Sequence, residues 1–277
     1  MRVKCPWRDC DKLGMQNLPQ LLHPIFQKYS AFYDLIYRDK DYAAEADYVA
    51  RAVRSARPGA RSVLELGSGT GRHGRLLAAT GFDVHGIERS ADMVAVANRA
   101  PASPVLETGG SFNCEVGDAR SANLGRTFDA VIALFHIISY QTTNEDLEAA
   151  FRVAAHHLVH GGVFLFDVWH GPAVLTERPT ERVKNVADER FEVTRTARPE
   201  LDSNRSTVKV AYEMQCKDRQ SGAIICFSEE HLMRYLFPTE IDILARSCGM
   251  RVLRTEEFLT GRPPSSSSWG VAYLLQK

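Results

Sequence analysis

The sequence lacks an excess of charge of either sign: 34 Lys and Arg stand against 34 Asp and Glu in 277 residues. That balance removes the electrostatic basis for binding nucleic acid or a membrane surface, and a small molecule becomes the expected partner. Among the six cysteines (Cys5, Cys10, Cys114, Cys216, Cys226, Cys248) no C-x-x-C pair occurs. Neither a metal site nor a disulfide framework is therefore expected, and a reducing, cytoplasmic setting fits. No apolar stretch approaches membrane-spanning length. The first thirty residues carry Arg2, Lys4, Arg8, Asp9, Asp11 and Lys12 without an apolar run, so no secretory leader is expected. What is present in quantity is hydrophobic residues, 44% of the chain, enough for one large α/β domain with an elaboration or for two small domains.

The stretch that organises the chain is SVLELGSGTGRHG, residues 62–74. Val63, Leu64 and Leu66 bracket Glu65, and Gly67, Gly69 and Gly71 follow at alternate positions. This predicts a buried strand, a tight turn, and a helix beginning near Arg72. Glycines let a ligand approach bare backbone, and the free N–H groups of the helix start face that ligand. One glycine would suffice to join a strand to a helix, so three exceed what connection alone needs. The acid–x–Gly–x–Gly–x–Gly pattern resembles motif I of the class I S-adenosylmethionine (SAM) methyltransferases. There the glycines pass beneath the methionine part of SAM, and the acid, here Glu65, helps order the turn and the amino group. Gly69, Gly71 and Gly74 also spell G-x-G-x-x-G, the dinucleotide fingerprint, which wants an acid at the end of a second strand. Glu88 could serve either cofactor, and the motif alone leaves both open.

Along the chain, residues 1–24 read as an irregular extension punctuated by Pro6, Gly14, Pro19 and Pro24. Tyr29, Tyr33 and Tyr37 are four apart, which fits either an aromatic face on the core or a lid over a sulfonium. Helical spacing of Tyr42, Ala46, Val49 and Val53 predicts an amphipathic helix over 41–55. A strand over 83–88 ends in Glu88, where a carboxylate could accept both ribose hydroxyls, and Ser90 is a good N-cap for a helix over 91–99. A third strand, 112–116, runs to Asp118, which is placed either to accept from an adenine amino group or to act as a turn aspartate. The apolar run 128–134 predicts a strand buried on both faces. Phe135 to Tyr140, a helix over 144–158, Gly161-Gly162 and a strand over 163–168 follow.

This succession implies an α/β fold with a doubly wound, mostly parallel seven-stranded sheet, its ligand crevice outside the carboxyl ends of the strands. Glu88, Asp118, His136, Tyr140 and Asp167 all fall on that edge. From 184 to 233 the period changes to two, which predicts an antiparallel meander. A helix over 239–247, a strand over 250–258, a loop with Pro263, Pro264 and four serines, and a strand over 269–275 end the chain. Class I methyltransferase sheets end in this way, with the last strand antiparallel, and a dinucleotide fold has no reason to. The domain expectation is a SAM-binding domain of 25–170 and 236–277. An inserted antiparallel unit, 171–235, would cover the acceptor and offer a homodimer contact.

A narrower resemblance rests on YDLIYRDKDYAAEAD, ELGSGTGRH, IERSADM, GDAR and HLMRYLF. From about Tyr29 onward the chain resembles the SAM-dependent N,N-dimethyltransferases of dTDP-amino sugars in desosamine and mycaminose biosynthesis. The resemblance implies that Tyr33, Gly67, Glu88, Asp118, Ala119 and Leu134 line SAM. It places Tyr140 where a histidine or tyrosine lies near the sugar amine, and Asp167 and Trp169 where an acid–x–Trp segment contacts the sugar. Tyr29 best matches the family's first tyrosine. The family's Gly-Ser-Gly-Arg near the nucleotide phosphates is replaced by Ser265–Ser268 and Trp269, which leaves Arg262 as the substitute. The implied partner is a nucleotide sugar. A neutral amine attacking a sulfonium methyl needs mainly positioning, with Tyr140 or His136 steering the lone pair and later accepting the proton. O-methylation of a sugar or other metabolite, with His136 as base, is the alternative within enzymes. A SAM-binding module without catalysis is the alternative outside them.

Overall fold

The computed structural model describes residues 32–99 and 109–277. The extension expected over 1–24 and the candidate Tyr29 lie outside the described residues. Two compact units are distinguished: residues up to 38 with 181–198 and 211–230, and residues 39–180 with 199–210 and 231–277.

The larger unit holds a seven-stranded sheet. Five strands are mutually parallel: β1 (Ser62–Leu66), β2 (Asp83–Glu88), β3 (Ser111–Val116), β4 (Phe128–Ala133) and β5 (Leu158–Trp169). The last two, β10 (Arg251–Glu257) and β11 (Gly270–Gln276), are antiparallel to each other, and β11 is antiparallel to β5. The order across the sheet is β3-β2-β1-β4-β5-β11-β10. Successive side chains of a strand point to opposite faces, and β4 displays this directly. Val131 and Ala133 join one buried cluster with Leu64, Leu66, Phe164 and Phe166. Ala130 and Ile132 join another with Val63, Val163 and Leu165. Both faces are covered, as the unbroken apolar runs require.

The helices begin where the sequence supplies acceptors for free N–H groups. The Asp41 carboxylate accepts from Ala44 N at 2.9 Å at the start of α1 (Tyr42–Ala56). α2 (Arg72–Ala79) and α3 (Ala91–Arg99) follow β1 and β2. Thr143 Oγ1 accepts from Asp146 N at 3.1 Å at the start of α4 (Asn144–His157), whose first turn also carries Glu145 against the helix dipole. α5 (Gly171–Glu177) follows β5, and α6 (Pro238–Ser247) precedes β10. The sequence reading has β5 begin after Gly161-Gly162, whereas the strand begins at Leu158. Gly161 is absorbed at φ +73°, with its N–H donated to Lys277 O at 2.9 Å.

A separate four-stranded antiparallel sheet has the order β6-β7-β8-β9, formed by Arg182–Ala187, Phe191–Asp202, Thr207–Asp218 and Ile224–Arg234. In the smaller unit a helical segment, 32–36, packs Phe32 and Ile36 on Val193, Met214 and Cys216. Tyr33 belongs to this unit, and its ring centroid lies 4.8 Å from that of Tyr37. No helix among the described residues is long and apolar enough to cross a membrane.

Candidate active site

At the carboxyl end of β1 the chain turns through Gly67, and the N–H groups of Gly67 and Ser68 both donate to Ile87 O, at 2.8 and 3.1 Å. The turn is thereby tied to β2. Gly67 has φ +70°, and a Cβ there would come within 2.5 Å of Ile137 Cδ1. Glycine is needed here because a side chain already fills the space. Gly69, at φ +55°, has nothing within 4 Å of such a Cβ, so this part of the loop offers bare backbone to open space. Gly71 is the left-handed cap from which α2 starts.

Glu88 closes the loop from the end of β2. One carboxylate oxygen accepts from Gly69 N at 3.1 Å and the other from Ser90 N at 2.8 Å. One lone-pair direction on each oxygen remains for hydroxyl donors. Glu65 lies beneath, only 2% exposed, and its Oε2 has no hydrogen-bond partner among the described residues. Burial pushes its carboxyl up to about 8, and the charge of Glu88 adds to this. Arg75 and the Gly74 N–H pull the other way. An unpartnered buried acceptor, a bare glycine backbone and an anchored second carboxylate suit a ligand that carries both an ammonium and a ribose diol. SAM meets that description.

Past β3, Asp118 is held by Arg120. Its Oδ1 accepts from Arg120 N and Nε, both at 2.9 Å, and its Oδ2 from Nη2 at 2.6 Å. Arg120 hydrogen bonding holds the Asp118 carboxyl down at about 2. Arg120 also reaches Asp146 Oδ1 at 3.0 Å, so Asp118 is anchored to α4. Ala119 packs on the core, and Leu134, 3% exposed, follows the last residue of β4.

The segment after β4 is strained: Phe135 and His136, neither of them glycine, both have φ +62°. Asp167 restrains it from β5. His136 N donates to the two Asp167 oxygens, at 3.3 and 3.2 Å. His136 Nδ1 also lies 2.7 Å from Oδ2, off the line of a good hydrogen bond. Asp167 is 1% exposed. Burial pushes its carboxyl up, but the charge and hydrogen bonds of His136 outweigh this and leave it below the usual range. The Trp169 ring stands edge-on to His136 at 6.2 Å and to Trp269 at 6.1 Å, and the backbone N–H of Trp169 donates to Ser139 Oγ at 3.1 Å. The 3₁₀ turn Ile137–Tyr140 ends with a 43% exposed tyrosine, whose hydroxyl lies 2.8 Å from His231 Nδ1.

The expected residues thus fall into local groups: Glu65 with the glycines and Glu88; Asp118 with Arg120; His136 with Asp167 and Trp169; and Tyr140 with His231. Arg262 pairs with Glu257 Oε2, through Nε at 3.0 Å and Nη2 at 2.6 Å, so its charge is locally compensated. Ser265–Ser268 close a turn on one another. The sequence reading gives no role to Lys40, which pairs with Glu45 and lies over the Phe135 ring at 4.6 Å. Glu45 Oε2 in turn meets His73 Nε2 at 2.7 Å. The K-D-Y-x-x-E spelling was the available signal for this network, but nothing in it pointed to His73.

A family model described as a methyltransferase domain matches residues 63–162. The dTDP-3-amino-3,4,6-trideoxy-α-D-glucopyranose N,N-dimethyltransferase of Streptomyces venezuelae is 33% identical over 83% of this chain and 92% of its own. The crystal structure of Streptomyces venezuelae DesVI aligns with a TM-score of 0.73 at 29% identity, covering 89% of this chain and 97% of that one. The sugar N-methyltransferase KedS8, from a Streptoalloteichus species, aligns at 0.74 and 27%, covering 94% and 96%. These likenesses and the β3-β2-β1-β4-β5-β11-β10 sheet remove the dinucleotide alternative. The chain belongs to the class I SAM-dependent methyltransferases, enzymes that transfer a methyl group from SAM, and within them to the family that includes these dimethyltransferases.

Proposed function

We propose that the protein N-methylates the amine of a nucleotide-activated amino sugar. The observation that carries this is the likeness to the Streptomyces venezuelae dimethyltransferase, which extends over 83% of the chain rather than over the SAM motifs alone. SAM, when bound, supplies a sulfonium methyl. The amine lone pair forms the new N–C bond as the C–S bond breaks, and the product is an ammonium that later loses a proton to solvent. The chain's task is to hold the two reactants in line. In this reading Glu65, the glycine backbone, Glu88, Asp118, Ala119 and Leu134 hold SAM. Tyr140, His136, Asp167 and Trp169 face the acceptor, and Arg262 would reach the phosphates only by leaving Glu257.

One observation favours a second reading. His136 held against a buried Asp167 resembles the base–orienter pair of an O-methyltransferase. Incubation with SAM and a panel of nucleotide amino sugars, each paired with its hydroxyl counterpart and read by mass, separates the two. Amine methylation predicts methyl mass gains with the amino sugars only. Gains with the hydroxyl counterparts would move the assignment to O-methylation, and no gain with any of them would remove the nucleotide-sugar acceptor.

A further inference from the structure

Tyr140 and His231 are 91 residues apart in sequence, yet the phenol oxygen and Nδ1 are 2.8 Å apart. The two rings meet edge-on, with centroids 5.8 Å apart at 61°. His231 sits on β9, and Tyr140 ends the 3₁₀ turn after β4, so two separate elements hold the pair. A phenol has one proton and two lone pairs, whereas a neutral imidazole offers one bare nitrogen and one N–H. Which way the phenol proton points matters for an amine acceptor. The amine must keep its lone pair for the methyl carbon. A hydroxyl that donates to that lone pair blocks attack, whereas one that accepts an amine N–H aims the lone pair at the methyl.

On the N-methylation reading above, we propose that His231 is a positioning residue. Its bare Nδ1 takes the Tyr140 hydroxyl proton and so turns the phenol lone pairs toward the acceptor amine. The assignment requires the tautomer with the proton on Nε2. No proton is transferred within the pair. The amine N–H donates to the phenol oxygen before the N–C bond forms, and the ammonium N–H does so afterwards. His231 therefore acts only through Tyr140, and its effect should vanish when the hydroxyl is absent.

Two measurements test this. The first is the histidine ¹⁵N spectrum of the intact protein without acceptor. We expect the His231 ring proton on Nε2 with Nδ1 bare, and its Nδ1 resonance should move in Tyr140→Phe. The second is turnover in a double-mutant cycle. His231→Leu should lower kcat about tenfold, the worth of one hydrogen bond to the reacting group, with SAM affinity unchanged. His231→Asn, which keeps an acceptor, should recover part of the loss. In a Tyr140→Phe background, His231→Leu should have no further effect. A proton on Nδ1 in the resting protein overturns the proposal, as does an equal loss from His231→Leu with and without the Tyr140 hydroxyl. If no amino sugar accepts a methyl, the proposed acceptor is wrong, while the tautomer measurement still decides the role of His231.

Discussion

At the scale of single residues, the two glutamates of the donor site make opposite demands. Glu65 is buried with an unpartnered oxygen, and its carboxyl is raised from 4.5 to about 8. The folded protein therefore holds a proton that the unfolded chain releases above about 4.5, so this residue makes stability fall as pH rises between those two values. Glu65→Gln, neutral throughout, should flatten that slope by an amount on the order of a few kcal/mol. Denaturant unfolding at pH values across this window checks it, and parallel curves for parent and variant would contradict it. Asp118 and Asp167, held below their usual range, act in a separate and more acidic window. Glu88 makes the other demand, as a charged anchor for Gly69 N and Ser90 N with lone pairs to spare. Glu88→Ala should weaken SAM binding by about 1–3 kcal/mol while the protein stays folded. Calorimetry giving the parent affinity would show that Glu88 does not hold the ligand.

At the scale of elements, the turn after β1 and the turn after β4 are one packing unit. Ile137 fills the space above Gly67, so the glycine is fixed by a residue seventy positions away (137 minus 67). Gly67→Ala should cost about 1–2 kcal/mol for the left-handed conformation and a further ~1–3 kcal/mol for overlap with Ile137. In an Ile137→Ala background the overlap part should disappear and the conformational part remain. Equal costs in both backgrounds, measured by chemical unfolding, would show that the two turns are not coupled. This coupling also shows what the sequence could and could not disclose. β1, the glycine turn, β2 and Glu88 were legible because spacing, turn chemistry and strand ends are local properties. The alternation that predicted the second sheet is local as well. Ile137 against Gly67, His73 beside Glu45 and His231 beside Tyr140 were not legible, since each pairing exists only after distant segments are brought together. The left-handed pair Phe135-His136 was invisible for the same reason: neither residue type favours that conformation, and Asp167, 31 positions beyond His136, restrains it.

At the scale of the whole molecule, the last strand in sequence is an interior strand in space. β11 lies between β10 and β5, pairing with β5 from Gly270 opposite Trp169 to Gln276 opposite Val163. Val271, Tyr273, Leu274 and Leu275 are each 3% exposed or less. Burying four such side chains contributes roughly 6–12 kcal/mol at about 1.5–3 kcal/mol each. The net stability of a domain is only about 5–15 kcal/mol. Removing β11 would also strip partners from β5 on one side and leave β10 without its neighbour. The sheet cannot close, and the strand that carries Asp167 and Trp169 cannot be held on both sides, until the final residues are in place. A chain ending at Trp169's partner strand boundary, with residues 270–277 removed, should therefore lose cooperative unfolding and SAM binding together. Circular dichroism melting and calorimetry with SAM decide it: a truncated chain that still melts in one transition and binds SAM with the parent affinity would show that β11 is dispensable to the sheet.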